Sequence, residues 1–210
     1  MSTASFNRRG LLLILSSPSG AGKSTLTQLL VRDDPKLKLS ISVTTREKRG
    51  SEVNGVHYHF ISETEFIQMR NRDELLEWAQ VHSNFYGTPL KPVEDVLASG
   101  NDMMFDIDWQ GSQQIVEKIP EDVVSIFLLP PSMVELKQRL ERRAEDKADV
   151  IARRLKNARE EIAHWENYDY VLVNRDLDET YKQLRTIIQV ERMRRSRQNG
   201  LPAFINELLK

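Results

Sequence analysis

The residues with the clearest chemical use lie in the stretch SSPSGAGKST at positions 16–25, which directly follows an apolar run. Gly22, Lys23 and Ser24 match the end of the phosphate-loop pattern, in which a glycine and four further residues precede Gly-Lys-Ser/Thr. Ser17 stands at the position of the first glycine, so the match is incomplete. Because the N–H groups of such a turn and of the helix after it attract anions, we predict that this stretch binds nucleotide phosphates.

Each residue type in this loop suits the binding of ATP and Mg²⁺. Glycines such as Gly20 and Gly22 let the backbone approach phosphate closely. Lys23 places a positive charge near the β- and γ-phosphates, and the Ser24 hydroxyl can ligate Mg²⁺. A simple capped helix start would use similar residues, but the apolar strand before the loop and the helical pattern after it favour phosphate binding. The predicted ATP-binding residues of the loop are Ser17, Pro18, Ser19, Gly20, Ala21, Gly22, Lys23, Ser24 and Thr25.

Two acids, Asp106 and Asp108, end an apolar run in the stretch FDIDWQG. On a strand their side chains would point to the same face, since side chains alternate with a period of two. Beside a phosphate loop, one of them is expected to hold the water shell of Mg²⁺ and the other to contact a substrate. The spacing does not say which is nearer the metal, and a pair of solvated acids at a strand end is the alternative.

The elements that would position these residues alternate along the chain between short apolar runs and helical patterns. Strands are predicted at 11–16, 103–108, 123–129 and 170–174, and helices at 26–33, 132–143, 148–167 and 177–198. This alternation is typical of an α/β protein with a parallel sheet covered by helices on both faces. Residues 40–62 are predicted to form part of a second, small sheet, and the charged segment 141–155 is predicted to be exposed and mobile.

The composition excludes several classes of protein. The 30 basic and 31 acidic residues nearly balance, so no strong field favours nucleic acid as a partner. No apolar run approaches the length of a membrane span, and there is no cysteine for disulfides or thiol chemistry. We therefore expect a cytoplasmic protein with one main core and no membrane partner, and we leave a homodimer or higher homo-oligomer open.

In order and spacing, the stretches SSPSGAGKST, SVTTR, YGT, DIDWQG and the charged ARRL segment resemble the guanylate kinase family over about residues 10–190. The resemblance implies a P-loop NTPase fold with a parallel five-stranded core flanked by helices (10–39 and 91–210). It also implies a small mixed-β GMP-binding subdomain (about 40–90) and a mobile lid (about 141–155). In this family ATP, with Mg²⁺, donates its γ-phosphoryl group to GMP, and we expect dGMP to be accepted as well.

The resemblance also assigns residues to the two substrates. Arginine forks are suited to grip a phosphate dianion, and a carboxylate is suited to accept hydrogen bonds from the N1–H and N2–H₂ groups of guanine. The implied GMP-binding residues are Ser42, Arg46, Arg49, Tyr58, Glu77, Tyr86, Thr88, Asp106 and Asp108. The implied catalytic residues are Lys23, Arg49, Arg143 and Arg154, and Asn174 is implied to lie near the adenine of ATP. The remaining arginines near the lid, Arg139, Arg142 and Arg153, are taken as surface charges.

From the residues alone, other interpretations stay open. Arg46 and Arg49 could be solvated loop charges, and Glu77 in LLEWAQ could lie on the polar face of an amphipathic segment. The chain could also be a non-catalytic phosphopeptide-binding module of the same fold, which the Lys23–Ser24 pair disfavours. A kinase that acts on a ribose phosphate is the third alternative.

The chain departs from the family pattern at Lys48, Gly50, Ala144 and Arg175. Lys48 and Gly50 lie in the turn after TTR, which lacks the usual proline, so we expect a looser turn around Arg49. None of the four positions removes a group that the chemistry requires.

Overall fold

The computed structural model describes residues 8–81, 83–107, 109–143 and 148–210, without the side chains of Arg143 and Ala148. Within these residues the strands are β1 (Leu12–Ser16), β2 (Leu37–Leu39), β3 (Val43–Thr44), β4 (His59–Phe60), β5 (Leu75–Val81), β6 (Asn84–Pro89), β7 (Asp102–Phe105), β8 (Val123–Leu129) and β9 (Tyr170–Val173). The helices are α1 (Lys23–Asp33), α2 (Glu63–Asn71), α3 (Leu90–Ala98), α4 (Trp109–Lys118), α5 (Met133–Arg143), α6 (Ala148–Ile162), α7 (Leu177–Arg192) and α8 (Leu201–Leu208). Short 3₁₀ turns lie at Pro120–Asp122, Trp165–Asn167 and Arg195–Arg197.

Five of these strands form a parallel sheet with the order β2-β7-β1-β8-β9. β1 is central and covered on both faces, which is why its sequence is apolar without alternation. Leu13 and Leu15 face a core shared with α1 and α7, whereas Leu12 and Ile14 face a core shared with α3 and α4. Burial of each such side chain stabilises the fold by about 1.5–3 kcal/mol, so β1 is a firm support for the loop that follows it.

The second sheet has the order β4-β3-β6-β5 and is mixed, because β3 pairs parallel with β4 and antiparallel with β6. Its own small core contains Val43, Phe66 and Leu75, and the Phe66 ring stacks on Phe85 with 5.1 Å between the ring centroids. β5 is an edge strand of this sheet and packs against α4. The contact between β5 and α4 therefore connects the second sheet to the helices that cover the first.

The predicted α/β class, with a parallel five-stranded core and a small mixed sheet, is confirmed. Three predicted elements were too long by three or more residues. The helix predicted at 148–167 ends at Ile162. The strand predicted at 103–108 ends at Phe105, where its pairing with β1 stops, so Asp106 lies in the loop after β7 rather than on the strand. The helix predicted at 177–198 ends at Arg192, since the buried Arg197 side chain turns back and donates to Asp122 O at 3.3 Å.

The charged segment 141–155 is largely helical, because α5 extends to Arg143 and α6 begins at Ala148. Residues 144–147 lie outside the described residues. A membrane-crossing helix is absent from the described part of the chain.

Candidate active site

The phosphate loop joins β1 to α1, and its backbone requires glycine at two positions. Gly20 and Gly22 have φ angles of 96° and 104°, in the left-handed region that disfavours side chains. A Cβ added to Gly22 would lie 2.4 Å from Asn174 Nδ2. Ser17, at the position of the first glycine of the phosphate-loop pattern, has no positive φ. The incomplete match to the pattern is therefore compatible with the loop, since the backbone at Ser17 has a conformation that any residue adopts.

Asn174, directly after β9, supports the loop. The residue is only 3% exposed. Its Nδ2 donates to Ala21 O at 2.7 Å, and its Oδ1 accepts a bond from Thr180 Oγ1 at 3.1 Å. Both ends of the amide are thus bonded within the protein and tie the loop to β9 and α7, while a contact between Asn174 and adenine stays a prediction.

A cavity of about 340 Å³ opens beside the loop. Lys23 and Ser24 at the start of α1 line it together with Asp106, which follows β7. The Lys23 ammonium forms an ion pair with the Asp106 carboxylate, and Ser24 is exposed. The carboxyl ends of two neighbouring parallel strands, where ligands of open α/β sheets bind, thus bring together three residues that the sequence assigned to ATP and Mg²⁺.

Helix α6 brings further side chains to this region. Arg154 Nη2 donates to Ser19 Oγ of the loop at 2.8 Å, which places a guanidinium at the phosphate loop. Glu161, two turns further along α6, lines the cavity, and so does Tyr168. Neither Glu161 nor Tyr168 was predicted from the sequence. The i, i+7 spacing of Glu161 from Arg154 was the available signal for the glutamate.

On the second sheet, Arg46 is held by Glu52, a residue that the sequence analysis did not single out. Arg46 Nη1 and Nη2 donate to the two carboxylate oxygens of Glu52 at 3.0 and 2.7 Å. The side chains are 14% and 16% exposed, respectively. The same carboxylate accepts a hydrogen bond from the Arg49 N–H at 2.8 Å. The expectation of a loose turn around Arg49 is therefore wrong, because Glu52 closes the turn that lacks proline.

Arg46, Glu52 and Tyr58 keep their ordinary protonation states at neutral pH. The hydrogen bond from Arg46 lowers the pKa of Glu52 to about 2, and the same bond raises the pKa of Arg46. The Arg46 guanidinium lies 5.6 Å from the centre of the Tyr58 ring, which meets Tyr86 edge to face at 6.0 Å. Burial raises the pKa of Tyr58, so its phenol stays protonated and can donate. Arg46, Tyr58 and Tyr86, which were all predicted to bind GMP, are thus neighbours. The Arg49 side chain is exposed on the same turn as Arg46.

Glu77 is buried in β5, with 6% of its surface exposed. It does not lie on the polar face of an amphipathic segment, the interpretation that its sequence surroundings favour. Thr88, directly opposite on β6, donates from Oγ1 to Glu77 Oε1 at 2.7 Å. Ser42 is half-buried and directly precedes β3, which pairs with β6. A buried carboxylate has to accept hydrogen bonds, and the N1–H and N2–H₂ groups of guanine can supply two of them.

A second cavity, of about 490 Å³, also adjoins the loop. It is lined by Gly20, Gly22, Asn174 and Arg139, among others. Arg139 was taken as a surface charge, and this is wrong: its side chain is 22% exposed. It donates to Glu135 Oε1 at 2.5 Å and to Asn174 O at 3.2 Å. The guanidinium is therefore fixed at the wall of this cavity.

The donors beside the loop fit a magnesium ion. The Ser24 hydroxyl and the Asp106 carboxylate are hard oxygen ligands in one cavity. Within the described residues no group of three or more His, Asp or Glu side chains could hold a metal ion by itself. Asp108 and the side chain of Arg143, two further predicted site residues, lie outside what the structure describes.

Comparison with known proteins gives one consistent result. Residues 9–191 match the family model described as guanylate kinase. The guanylate kinase of Rhizobium etli is 59% identical over 203 residues, which cover 97% of this chain and 92% of that protein. The guanylate kinase of Mesorhizobium japonicum is 60% identical over 202 residues, with 96% and 93% covered. Among solved structures, the crystal structure of guanylate kinase from Anaplasma phagocytophilum is similar, with a TM-score of 0.75, 40% identity and 95% of each chain covered.

Proposed function

The chain belongs to the guanylate kinase family and transfers the γ-phosphoryl group of ATP to GMP, and we propose that the transfer takes place in the cavity beside the phosphate loop. One observation carries this proposal: Lys23, Ser24 and Asp106 line the same cavity, and Arg154 is bonded to the loop at its wall. Cationic and metal-binding groups gathered at a phosphate loop suit the meeting of two polyanions.

In this proposal the phosphates of ATP lie on the loop. The backbone N–H groups of the loop and of the first turn of α1 receive the β- and γ-phosphates, and Lys23 exchanges its ion pair with Asp106 for a contact with them. Ser24, and Asp106 through water, would hold Mg²⁺, which when bound neutralises phosphate charge. The adenine lies in the second cavity, where the planar guanidinium of Arg139 is suited to stack on it.

The GMP phosphate is held on the second sheet. Arg46 grips it, and the phenols of Tyr58 and Tyr86 donate hydrogen bonds. Nη1 and Nη2 of Arg46 donate to Glu52, and Nη1 also donates to Glu47 O at 2.7 Å. None of these bonds uses Nε, so in this proposal the Nε edge of the guanidinium grips the phosphate. Arg49, exposed on the closed turn, supplies a second cation.

The guanine is read by Glu77, with Thr88 and Ser42 beside it. The carboxylate accepts bonds from N1–H and N2–H₂, whereas adenine would present an acceptor at N1, which a carboxylate repels. A site built on such hydrogen bonds can reject the wrong base by about 10⁴–10⁵-fold. The alternative of a ribose phosphate kinase would leave the buried Glu77–Thr88 pair without a base to read.

Transfer itself needs no general base, because the attacking oxygen of the GMP phosphate is already an anion. This oxygen forms a bond to the γ-phosphorus while the bond to the β–γ bridging oxygen breaks, and ADP leaves with that electron pair. Lys23 and Arg154, together with the predicted Arg143, stabilise the charge that spreads over the transferring group. Catalysis therefore consists of alignment and electrostatic stabilisation. We further propose that the protein works in the cytoplasm, where both nucleotides are available.

A panel of nucleotides tests the proposed site. The enzyme is assayed with ATP and GMP, AMP, CMP or UMP, in the wild type and in Glu77→Gln. We expect turnover with GMP, little with the others, and a selective loss of GMP use in the variant. Equal use of AMP by the wild type, or unchanged base discrimination in Glu77→Gln, would contradict the assignment of the guanine site.

A further inference from the structure

The edge strand β5, which carries Glu77, has backbone groups that no neighbouring strand can pair. β6 lies on one side of β5, and α4 packs on the other. Backbone N–H and C=O groups that are taken from water need partners. On this side of β5 the hydrogen-bond partners are side chains of α4. The position of β5 relative to the parallel sheet therefore depends on the bonds that these side chains form.

Gln114 of α4 pairs with the backbone of Trp78 in both directions. Trp78 N donates to Gln114 Oε1 at 3.1 Å, and Gln114 Nε2 donates to Trp78 O at 3.0 Å. One turn later, Lys118 Nζ donates to Leu75 O at 2.8 Å. These bonds hold peptide groups on both sides of Glu77, where the pairing register with β6 shifts as at a β-bulge.

Gly111, one turn before Gln114 on α4, brings the helix close to the carboxylate. A Cβ at this position would lie 3.2 Å from Glu77 Oε2. A hydrogen atom fits there, but a methyl group would push the carboxylate by a few tenths of an ångström. α4 also begins just after the loop that carries Asp106. The same helix therefore contacts the Glu77 carboxylate and lies next to the cavity beside the phosphate loop.

We propose that Gln114 is a positioning residue for base recognition, which holds β5 so that Glu77 meets the N1–H and N2–H₂ groups of guanine at the right distance. The proposal rests on the role of Glu77 given above. Gly111 provides the space and Gln114 the directional bonds. Because the strength of a hydrogen bond falls steeply with distance, a small displacement of β5 lowers the selectivity for guanine before it lowers the stability of the fold.

The test compares GMP with IMP, which keeps N1–H but lacks the 2-amino group. Gln114→Met keeps the size of the side chain and removes both bonds to Trp78. We expect the ratio of kcat/KM for GMP over IMP to fall by about tenfold or more, mainly through the KM for GMP, with the KM for ATP unchanged. Gln113→Met is the matched control, since Gln113 is exposed on the same helix and its side-chain amide donates to Glu117 on the helix itself, at 3.2 Å.

Gly111→Ala is the second variant and decides the outcome if Gln114→Met does not fold. Alanine favours a helix more than glycine does, which offsets part of the cost of displacing the carboxylate, and a thermal melt shows whether the variant is folded. The GMP-to-IMP ratio should fall. A wild-type ratio in the folded variants would overturn the proposal. Glu77→Gln distinguishes a failure of the proposed guanine site from a failure of the positioning role. If Glu77→Gln also keeps the wild-type GMP-to-IMP ratio, the role assigned to Glu77 is wrong. If Glu77→Gln is the one variant that lowers the ratio, only the positioning role of Gln114 is wrong.

Discussion

Replacing Gly22 by alanine tests the phosphate loop sharply, because two separate penalties meet at this position. The φ of 104° costs an alanine about 1–3 kcal/mol. The new Cβ would lie 2.4 Å from Asn174 Nδ2 and has to displace that amide. The bond to Ala21 O at 2.7 Å is then lost, and a buried carbonyl without a partner costs about 1–3 kcal/mol. We expect Gly22→Ala to lower the free energy of unfolding by about 2–6 kcal/mol.

Urea denaturation followed by circular dichroism measures this change, with a thermal melt beside it. For a chain of this length the expected loss corresponds to a Tm lower by roughly 4–24 °C. Gly50→Ala is the matched control, because nothing lies within 4 Å of a Cβ at Gly50 and its φ is not left-handed. We expect Gly50→Ala to leave the Tm unchanged.

A double-mutant cycle with Asn174→Ala separates the two penalties. Without the Asn174 amide the clash disappears, so Gly22→Ala should cost only its backbone strain in that background. Additivity of the two changes within about 0.5 kcal/mol would show that they do not interact. Such additivity, or a Gly22→Ala protein as stable as the wild type, would refute the reasoning about the loop.

The other predictions concern the charged groups. Lys23→Met should lower kcat by about 10²–10³-fold with little change in the calorimetric affinity for GMP, and unchanged turnover would remove Lys23 from the mechanism. Arg154→Ala should lower kcat more than it raises either KM; a change in KM alone would mean that Arg154 only binds substrate. Glu52→Gln should raise the KM for GMP by roughly three- to tenfold at nearly constant kcat, because Arg46 loses its anchor, and an unchanged KM would limit Glu52 to the local turn. Since the pKa of Glu52 is about 2 against an ordinary 4.5, its stabilising contribution is complete above about pH 4.5 and is lost as the pH falls towards 2. The melting temperatures of wild type and Glu52→Gln should converge over that range, whereas a constant difference would contradict the assigned ion pair.

The phosphate loop could be predicted from the sequence because its determinants are local. The apolar run of β1, the glycines and the start of α1 are contiguous, and each has a distinct backbone or burial requirement. The parallel sheet followed from the alternation of strands and helices. Element ends were less accurate, since β7 ends where its pairing with β1 ends, at Phe105, and pairing partners are distant in sequence.

The proposed sites for guanine and for the GMP phosphate depend on contacts that cannot be read from the order of residues along the chain. Glu77 becomes a buried acceptor only when β5 pairs with β6 and brings Thr88 opposite it. Glu52 becomes the anchor of Arg46 because the turn between them closes. Gln114 reaches Trp78 across 36 positions, so neither residue carries a local sign of the contact. Long-range pairing of this kind explains why these residues were missed or could be assigned only through the family resemblance.

The central claim, that ATP and GMP meet end to end across the phosphate loop, is tested most directly by calorimetric titration with one molecule in which five phosphates link adenosine to guanosine. If both sites are filled at once, this molecule should bind about 10²–10⁴-fold more tightly than ATP or GMP alone, because the second half binds within an already formed complex. Lys23→Met and Glu77→Gln should each weaken it. Affinity no higher than that of ATP, or GMP binding to the saturated complex, would contradict the account.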